Sequence, residues 1–166
     1  MPTSLRLPTL VLLIGSAFGL VDCKKNDEPD PVKPSARETW LTTPKWRLDS
    51  YAEEETTAAG VITTTTYPLA NFDPCSLDDF DYYHADKSFV IDEGPLKCST
   101  MYPGLIVSGT WAFAANETEL IIDAGKLGSY SRYIRALTAT TMLLAEPGPT
   151  YSNGTTVVRL RTFSAQ

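Results

Sequence analysis

The sequence has a single histidine, His84, and only three cysteines. One histidine makes neither a zinc site nor a Ser-His-Asp triad, so His84 reads as a satisfied or exposed strand residue. The cysteines stand at 23, 75 and 98 with no Cys-x-x-Cys spacing, which argues against a redox-active pair. Positive charge is scarce as well: 14 Lys and Arg against 20 Asp and Glu leave a formal net charge of -6. Nucleic acid demands a basic face, so no nucleic-acid partner is expected, nor electrostatic adhesion to anionic lipid. No Asp-x-Asp-x-Asp-Gly loop is present, and Gly104, Gly125 and Gly128 fall in turns without forming a phosphate loop. Helical periodicity is nearly absent after residue 45. What is abundant is threonine and tyrosine, both of which favour strands, so the composition points to an all-β domain.

The 166 residues leave room for one domain plus a signal and a tether. The start is weakly basic, with Arg6, and continues into the apolar run LVLLIGSAFGLV at 10–21. That run is too short to span a bilayer comfortably and fits the apolar segment of a secretory signal. Cys23 follows at once, then the polar, Pro-rich stretch KKNDEPDP. This arrangement resembles a bacterial lipoprotein signal, with Leu20 at the leucine position three residues before the cysteine. Asp22 departs from it, standing where the motif has a small residue. The resemblance implies that residues 1–22 are removed and that Cys23 becomes the lipid-bearing N-terminus, a membrane partner through its anchor. The implied address is the cell envelope, on the outer membrane, either periplasmic or surface-exposed; the acidic residues just past Cys23 resemble tethers that route some Gram-negative lipoproteins to the surface. Residues 24–38 cannot bury enough apolar area to order themselves and read as a linker. Within the tether region, 23–43, the stretch from Ala36 to Thr42 is expected to form one or two helical turns. Trp40 and Leu41 would plug one end of the strand domain, and Pro44 ends the helix.

The domain proper, 44–166, reads as eight or nine short strands. Lys45–Tyr51 alternates, with Trp46, Leu48 and Ser50 on one face. Residues 53–60 make a turn, and Val61–Tyr67 is β-branched almost throughout. The connection through Asn71–Asp79 is turn-rich. Phe80, Tyr82 and His84 alternate with Asp81 and Tyr83, and Phe89 shares a face with Ile91. Val107, Gly109, Trp111 and Phe113 share another. Residues 119–123 follow, then Tyr130–Leu137 with Ile134 as the buried point. Met142 and Leu144 share a face, Pro147-Gly148-Pro149 is expected to break the chain, and the last strand sets Val158 and Leu160 opposite Arg159 and Arg161. Successive hairpins at this spacing form an antiparallel up-and-down meander. A meander of this length removes its edges by closing into a barrel, with a sandwich as the other solution.

CSLDDFDYYHADKSFVIDEGPLKC at 75–98, SGTWAF at 108–113 and RALTATTMLLAE at 135–146 together resemble the lipocalin-like domain of bacterial lipoproteins. The resemblance covers residues 44–166 and implies an eight-stranded barrel. Gly109-Thr110-Trp111 lies mid-chain here, whereas true lipocalins carry their Gly-x-Trp on the first strand, so their ligand positions do not transfer. The family implies little chemistry beyond a shape.

Cys75 and Cys98 would be the only thiols of the exported domain, and an even pair in such a protein suggests a disulfide. Asp73, Asp78, Asp79 and Asp81, with Asp86 nearby, could offer oxygen ligands to a hard cation, but solvated turns and caps explain them as well, and no metal or cofactor is expected. No spacing selects a carboxylate pair for hydrolysis, so no catalytic residue is assigned and no enzyme is expected. The candidate ligand-binding residues are the aromatics placed in the barrel interior: Trp46, Phe80, Tyr82, Phe89, Trp111, Phe113 and Tyr130. An eight-stranded barrel is just wide enough to be filled by side chains or to hold one small ligand. The expectation is a small apolar or amphiphilic ligand. The alternative is a side-chain-filled barrel acting through its outer surface on a protein partner that the sequence does not identify.

Overall fold

The computed structural model describes residues 33–98, 105–125 and 128–166. The expectations for residues 1–32, including the signal segment and the lipid-bearing Cys23, lie outside the described residues. Helix α1 (Ala36–Thr42) starts where the Ser35 hydroxyl accepts the Glu38 N–H at 3.0 Å, a side-chain N-cap. Nine strands follow: β1 (Trp46–Thr56), β2 (Ile62–Tyr67), β3 (Phe80–Tyr83), β4 (Ser88–Asp92), β5 (Leu105–Ala114), β6 (Glu119–Asp123), β7 (Ser129–Leu137), β8 (Thr141–Thr150) and β9 (Thr156–Ala165).

From β3 to β9 each strand pairs antiparallel with the next. The last strand returns to the first, running from Trp46↔Ala165 to Thr56↔Thr156, while Trp46 faces Asp81 of β3 on its other edge. β1 with β3–β9 therefore forms a closed eight-stranded barrel, which sets aside the sandwich. The extra strand β2 pairs with the outer part of β1, from Tyr51↔Tyr67 to Thr56↔Ile62, and is exposed along its whole length.

Three local expectations change. β1 continues through Glu53–Glu55 because Glu53 finds partners on its own strand and on β2: the Tyr51 and Tyr67 hydroxyls donate to it at 2.9 and 3.0 Å. β8 runs through Pro147-Gly148-Pro149, which the ladder accommodates with a register shift between Pro147 and Thr150 where proline need not donate. In β1 a bulge between Leu48 and Ser50 reverses the alternation, so Arg161 on β9 faces Tyr51 and not Ser50.

One end of the barrel is solid. Leu41, Trp46, Phe89, Leu120, Ile122, Met142 and Leu144 are fully buried there, with Tyr83, Trp111 and Phe163 nearly so. The Trp46 indole donates to the Leu41 carbonyl at 2.9 Å, and the Trp111 indole donates to the His84 carbonyl at 2.9 Å. Lys87 lies 4.1 Å over the Trp111 ring and bonds Glu38 of α1 at 2.6 Å, which docks the helix over this end. Leu41 does the plugging alone, since Trp40 remains 36% exposed.

The connection from β2 to β3 makes a 3-10 turn at Leu69–Asn71 and the four-residue helix α2 (Pro74–Leu77). Cys75 on α2 is bonded to Cys98, with Cα atoms 5.2 Å apart. Gly94 lets the two segments approach, because a Cβ there would overlap the Asp78 backbone carbonyl. The cross-link spans a sequence separation of 23 residues. On the chain-entropy estimate, reduction or the Cys75→Ala/Cys98→Ala pair should cost about 3 kcal/mol of stability. Urea unfolding with and without reductant checks this, and coincident midpoints would refute it.

Candidate functional site

The connection from β2 to β3 lies across the half of the barrel that is not solid. Beneath it is a cavity of about 260 Å³ lined by Leu48, Tyr51, Phe72, Ser76, Asp79, Asp81, Ile91, Arg132, Arg161 and Phe163. The strands supply Leu48, Tyr51, Asp81, Ile91, Arg132, Arg161 and Phe163; the connection supplies Phe72, Ser76 and Asp79. Phe72 meets Tyr51 edge-on with ring centres 5.3 Å apart, joining the cover to the wall.

On the polar side of the wall, Asp81, Arg132 and Arg161 join Glu146, which does not itself line the cavity, in a network of four charged groups. Arg132, only 6% exposed, sets its Nε 2.5 Å from Glu146 Oε1 and its Nη1 3.5 Å from Asp81 Oδ2. Arg161 Nη2 lies 3.5 Å from the other oxygen of Glu146, so one carboxylate serves two guanidiniums. The Tyr83 hydroxyl donates to Asp81 at 3.4 Å, and Arg132 stands 5.1 Å from the centre of the Tyr130 ring.

Burial dominates the titration of these groups. It raises the Asp81 carboxyl above its ordinary value, against the pull of Arg132 and Arg161. It raises the Asp79 carboxyl too, although the Gly94 N–H works the other way. Burial first, and Asp81 second, push the Tyr83 phenol well up. Burial also works against the charge on Arg132, but Tyr83, Asp81 and Glu146 outweigh it and hold the guanidinium more firmly protonated than usual.

Of the seven aromatics expected inside, Trp46, Phe89 and Trp111 are buried in the solid end, and Phe113 and Tyr130 pack against them half-buried. None of the five lines the cavity. Phe80 and Tyr82 take the opposite parity: β3 buries Asp81 and Tyr83 instead. Lys45 caps the Phe80 ring at 4.0 Å, and Tyr82 stacks on His84 at 5.9 Å. The inversion has a physical cause. Asp81 finds a counter-charge in Arg132, while the Tyr83 ring packs on Phe89 and Trp111 at 4.9 and 6.2 Å. On β9, Arg161 and Phe163 line the cavity, whereas Val158 and Leu160 do not.

Sequence reasoning did not single out Arg132, Glu146 and Arg161. A signal for them exists: Arg132 stands in phase with Tyr130 and Ile134, Glu146 with Met142 and Leu144, and Arg161 with Phe163. A charged residue at a core-facing parity needs an internal partner.

The aspartates of the candidate cation cluster do not converge. Asp78 accepts the Leu96 N–H at 2.8 Å, Asp86 accepts the Ser88 N–H and hydroxyl at 2.9 and 2.6 Å, and Asp81 faces Arg132. Among the described residues no group of three His, Cys, Asp or Glu side chains could hold a metal ion.

Two larger concavities exist. One of about 570 Å³ runs along β7, β8 and β9 past Tyr133, Pro147 and Val158, and one of about 530 Å³ lies beside Lys87 and Asn116. Both lack a buried charged group in their walls, and the interior cavity is the one that joins apolar walls to convergent polar groups.

No protein-family model matches this chain, and no curated protein matches it. Solved structures do. A lipocalin-like protein from Bacteroides uniformis aligns at 17% identity and a TM-score of 0.42, over 76% of this chain and 99% of that one. Bovine odorant binding protein, in complex with a selenium-containing odorant, aligns at 10% identity and a TM-score of 0.42, over 82% and 76%. A deswapped triple mutant of the bovine protein aligns at 12% identity and a TM-score of 0.39, over 76% and 74%. These neighbours are lipocalin-like barrels. The eight-strand closure of the present chain stands on its own strand pairing.

Proposed function

We propose that this chain is an exported, lipid-anchored binding protein that holds one small amphiphilic ligand inside its barrel. The observation that carries the reading is the interior cavity of about 260 Å³, whose wall combines Leu48, Ile91 and Phe163 with Asp81, Arg132 and Arg161. Charges inside a barrel cost desolvation, and a wall that needed only to be filled would be filled with apolar groups. Binding, not catalysis, is the role this supports. The lipid anchor rests on the apolar run at 10–21 followed by Cys23.

Native mass spectrometry of the chain extracted from its source membrane tests both parts. The expected species begins at acylated Cys23 and carries one small molecule that leaves on activation. A ligand-free spectrum under gentle conditions counts against the binding role, and an unmodified chain retaining residues 1–22 counts against the anchor.

A second reading draws on β2, whose outer edge has no paired strand among the described residues and whose Ile62 is 62% exposed beside Val61 at 58%. Such an edge can accept a partner strand, so a barrel acting through its outer surface is the alternative.

A further inference from the structure

We infer that the ligand of this cavity is a small organic carboxylate, gripped at its head by the guanidinium groups of Arg132 and Arg161. The inference rests on the reading that the cavity holds a ligand, and it names the ligand's chemistry.

The first argument is the state of the donors. Each guanidinium offers five N–H groups in a planar fork. Among the described residues the short ion-pair contact of these guanidiniums is that of Arg132 Nε with Glu146; the approaches to Asp81 and from Arg161 to Glu146 are both 3.5 Å. Ordinary N–H···O bonds run to about 3.2 Å, so these ion pairs leave much of the Arg161 fork unspent. A carboxylate is the group that accepts two parallel N–H bonds from such a fork.

The second argument is access. Burial works against the charge on Asp81 and Asp79, the acidic residues of the lining, which weakens their hold on the guanidiniums. Glu146, outside the lining, is the carboxylate that the two guanidiniums share. Arg161 is the accessible member of the pair, with 35% of its side chain exposed, against 7% for Arg132.

The third argument is size. A volume near 260 Å³ lies just below the range of about 300–1,000 Å³ usual for ligand pockets. It equals the liquid volume of about nine waters at about 30 Å³ each. The body of the ligand is therefore compact, lying against Leu48, Ile91 and Phe163, and most of a long acyl chain would lie outside the cavity.

Isothermal titration of the full chain with phenylacetate, 2-phenylethanol, 2-phenylethylamine and hexadecanoate tests the proposal. The first three share a body and differ at the head; the fourth keeps the head and lengthens the body. Phenylacetate should bind tighter than the alcohol by about tenfold or more, with the amine weaker still and hexadecanoate weaker than phenylacetate. Arg161→Gln should erase the gap between phenylacetate and 2-phenylethanol. Equal affinity for alcohol and carboxylate, or preference for the amine, overturns the carboxylate while leaving a binding cavity. Preference for hexadecanoate overturns the compact body. Failure of all four to bind overturns the cavity reading itself, and this inference with it. The wild-type panel decides the matter even if Arg161→Gln does not fold.

Discussion

Arg132→Leu is expected to cost about 3–5 kcal/mol, which for a domain of this size lowers the melting temperature by about 10 °C or more. The reason is not the loss of an attractive pair as such. A buried ion pair contributes little net stability, but removing one member leaves the other charged in a medium that cannot solvate it. Here two carboxylates would be stranded, Asp81 at 8% exposure and Glu146 with its side chain 18% exposed. The pH dependence separates this cause from lost packing. Without the guanidinium, the Asp81 carboxyl, which burial already raises, is raised further above its unfolded value. A carboxyl raised by folding contributes its stability when protonated, and loses it as pH rises through the raised value. The deficit of Arg132→Leu should therefore be small in acid, below the ordinary carboxylate range, and grow towards neutrality. Urea unfolding of both proteins across that range measures it, and a deficit independent of pH would refute the electrostatic account. Adding Asp81→Asn to the variant should return part of the loss at neutral pH.

The fold was legible in the sequence where each signal is local. Turn chemistry at Asp86-Lys87 and Asn116, β-branched runs and in-phase apolar pairs such as Phe89 with Ile91 each report on a few adjacent residues. They placed the strands, and their number forced closure. The cysteine pair was legible because a framework of only two thiols leaves one partner apiece. Facing was harder. In β3 aromatics occupy both parities, Phe80 and Tyr82 against Tyr83, so alternation alone does not say which side is inward. What decides it is Arg132, 51 residues further along the chain. In β1 a single bulged residue flips the alternation between Leu48 and Tyr51. The candidate site was missed for a related reason. Aromatic content points to the solid end, where large rings pack, whereas the space lies at the end where arginines and carboxylates keep side chains from closing on one another.

Trp46→Ala is the second large effect expected, about 3–5 kcal/mol from burial and cavity formation alone. Trp46 is fully buried at the seam of the barrel, facing Ala165 of β9 on one edge of β1 and Asp81 of β3 on the other. Its Nε1–H also donates to the Leu41 carbonyl at 2.9 Å, tying α1 to the barrel. Deleting the ring therefore opens a void where three strands meet and leaves a buried carbonyl without its donor. Trp46→Phe separates the two contributions. It keeps most of the apolar volume and loses the donor, so its cost should fall to about 1–3 kcal/mol, the penalty for an unsatisfied buried acceptor. Limited proteolysis adds a readout that stability alone does not give: with the carbonyl bond gone, cleavage within 36–42 should accelerate more than the change in global stability explains. If Trp46→Phe proves as costly as Trp46→Ala, the hydrogen bond is the main tie; if Trp46→Ala costs less than about 1 kcal/mol, the seam does not depend on this residue. The first outcome would move the weight of closure onto the helix, because the β1–β3 ladder has a single register pair and α1 then holds it shut from outside.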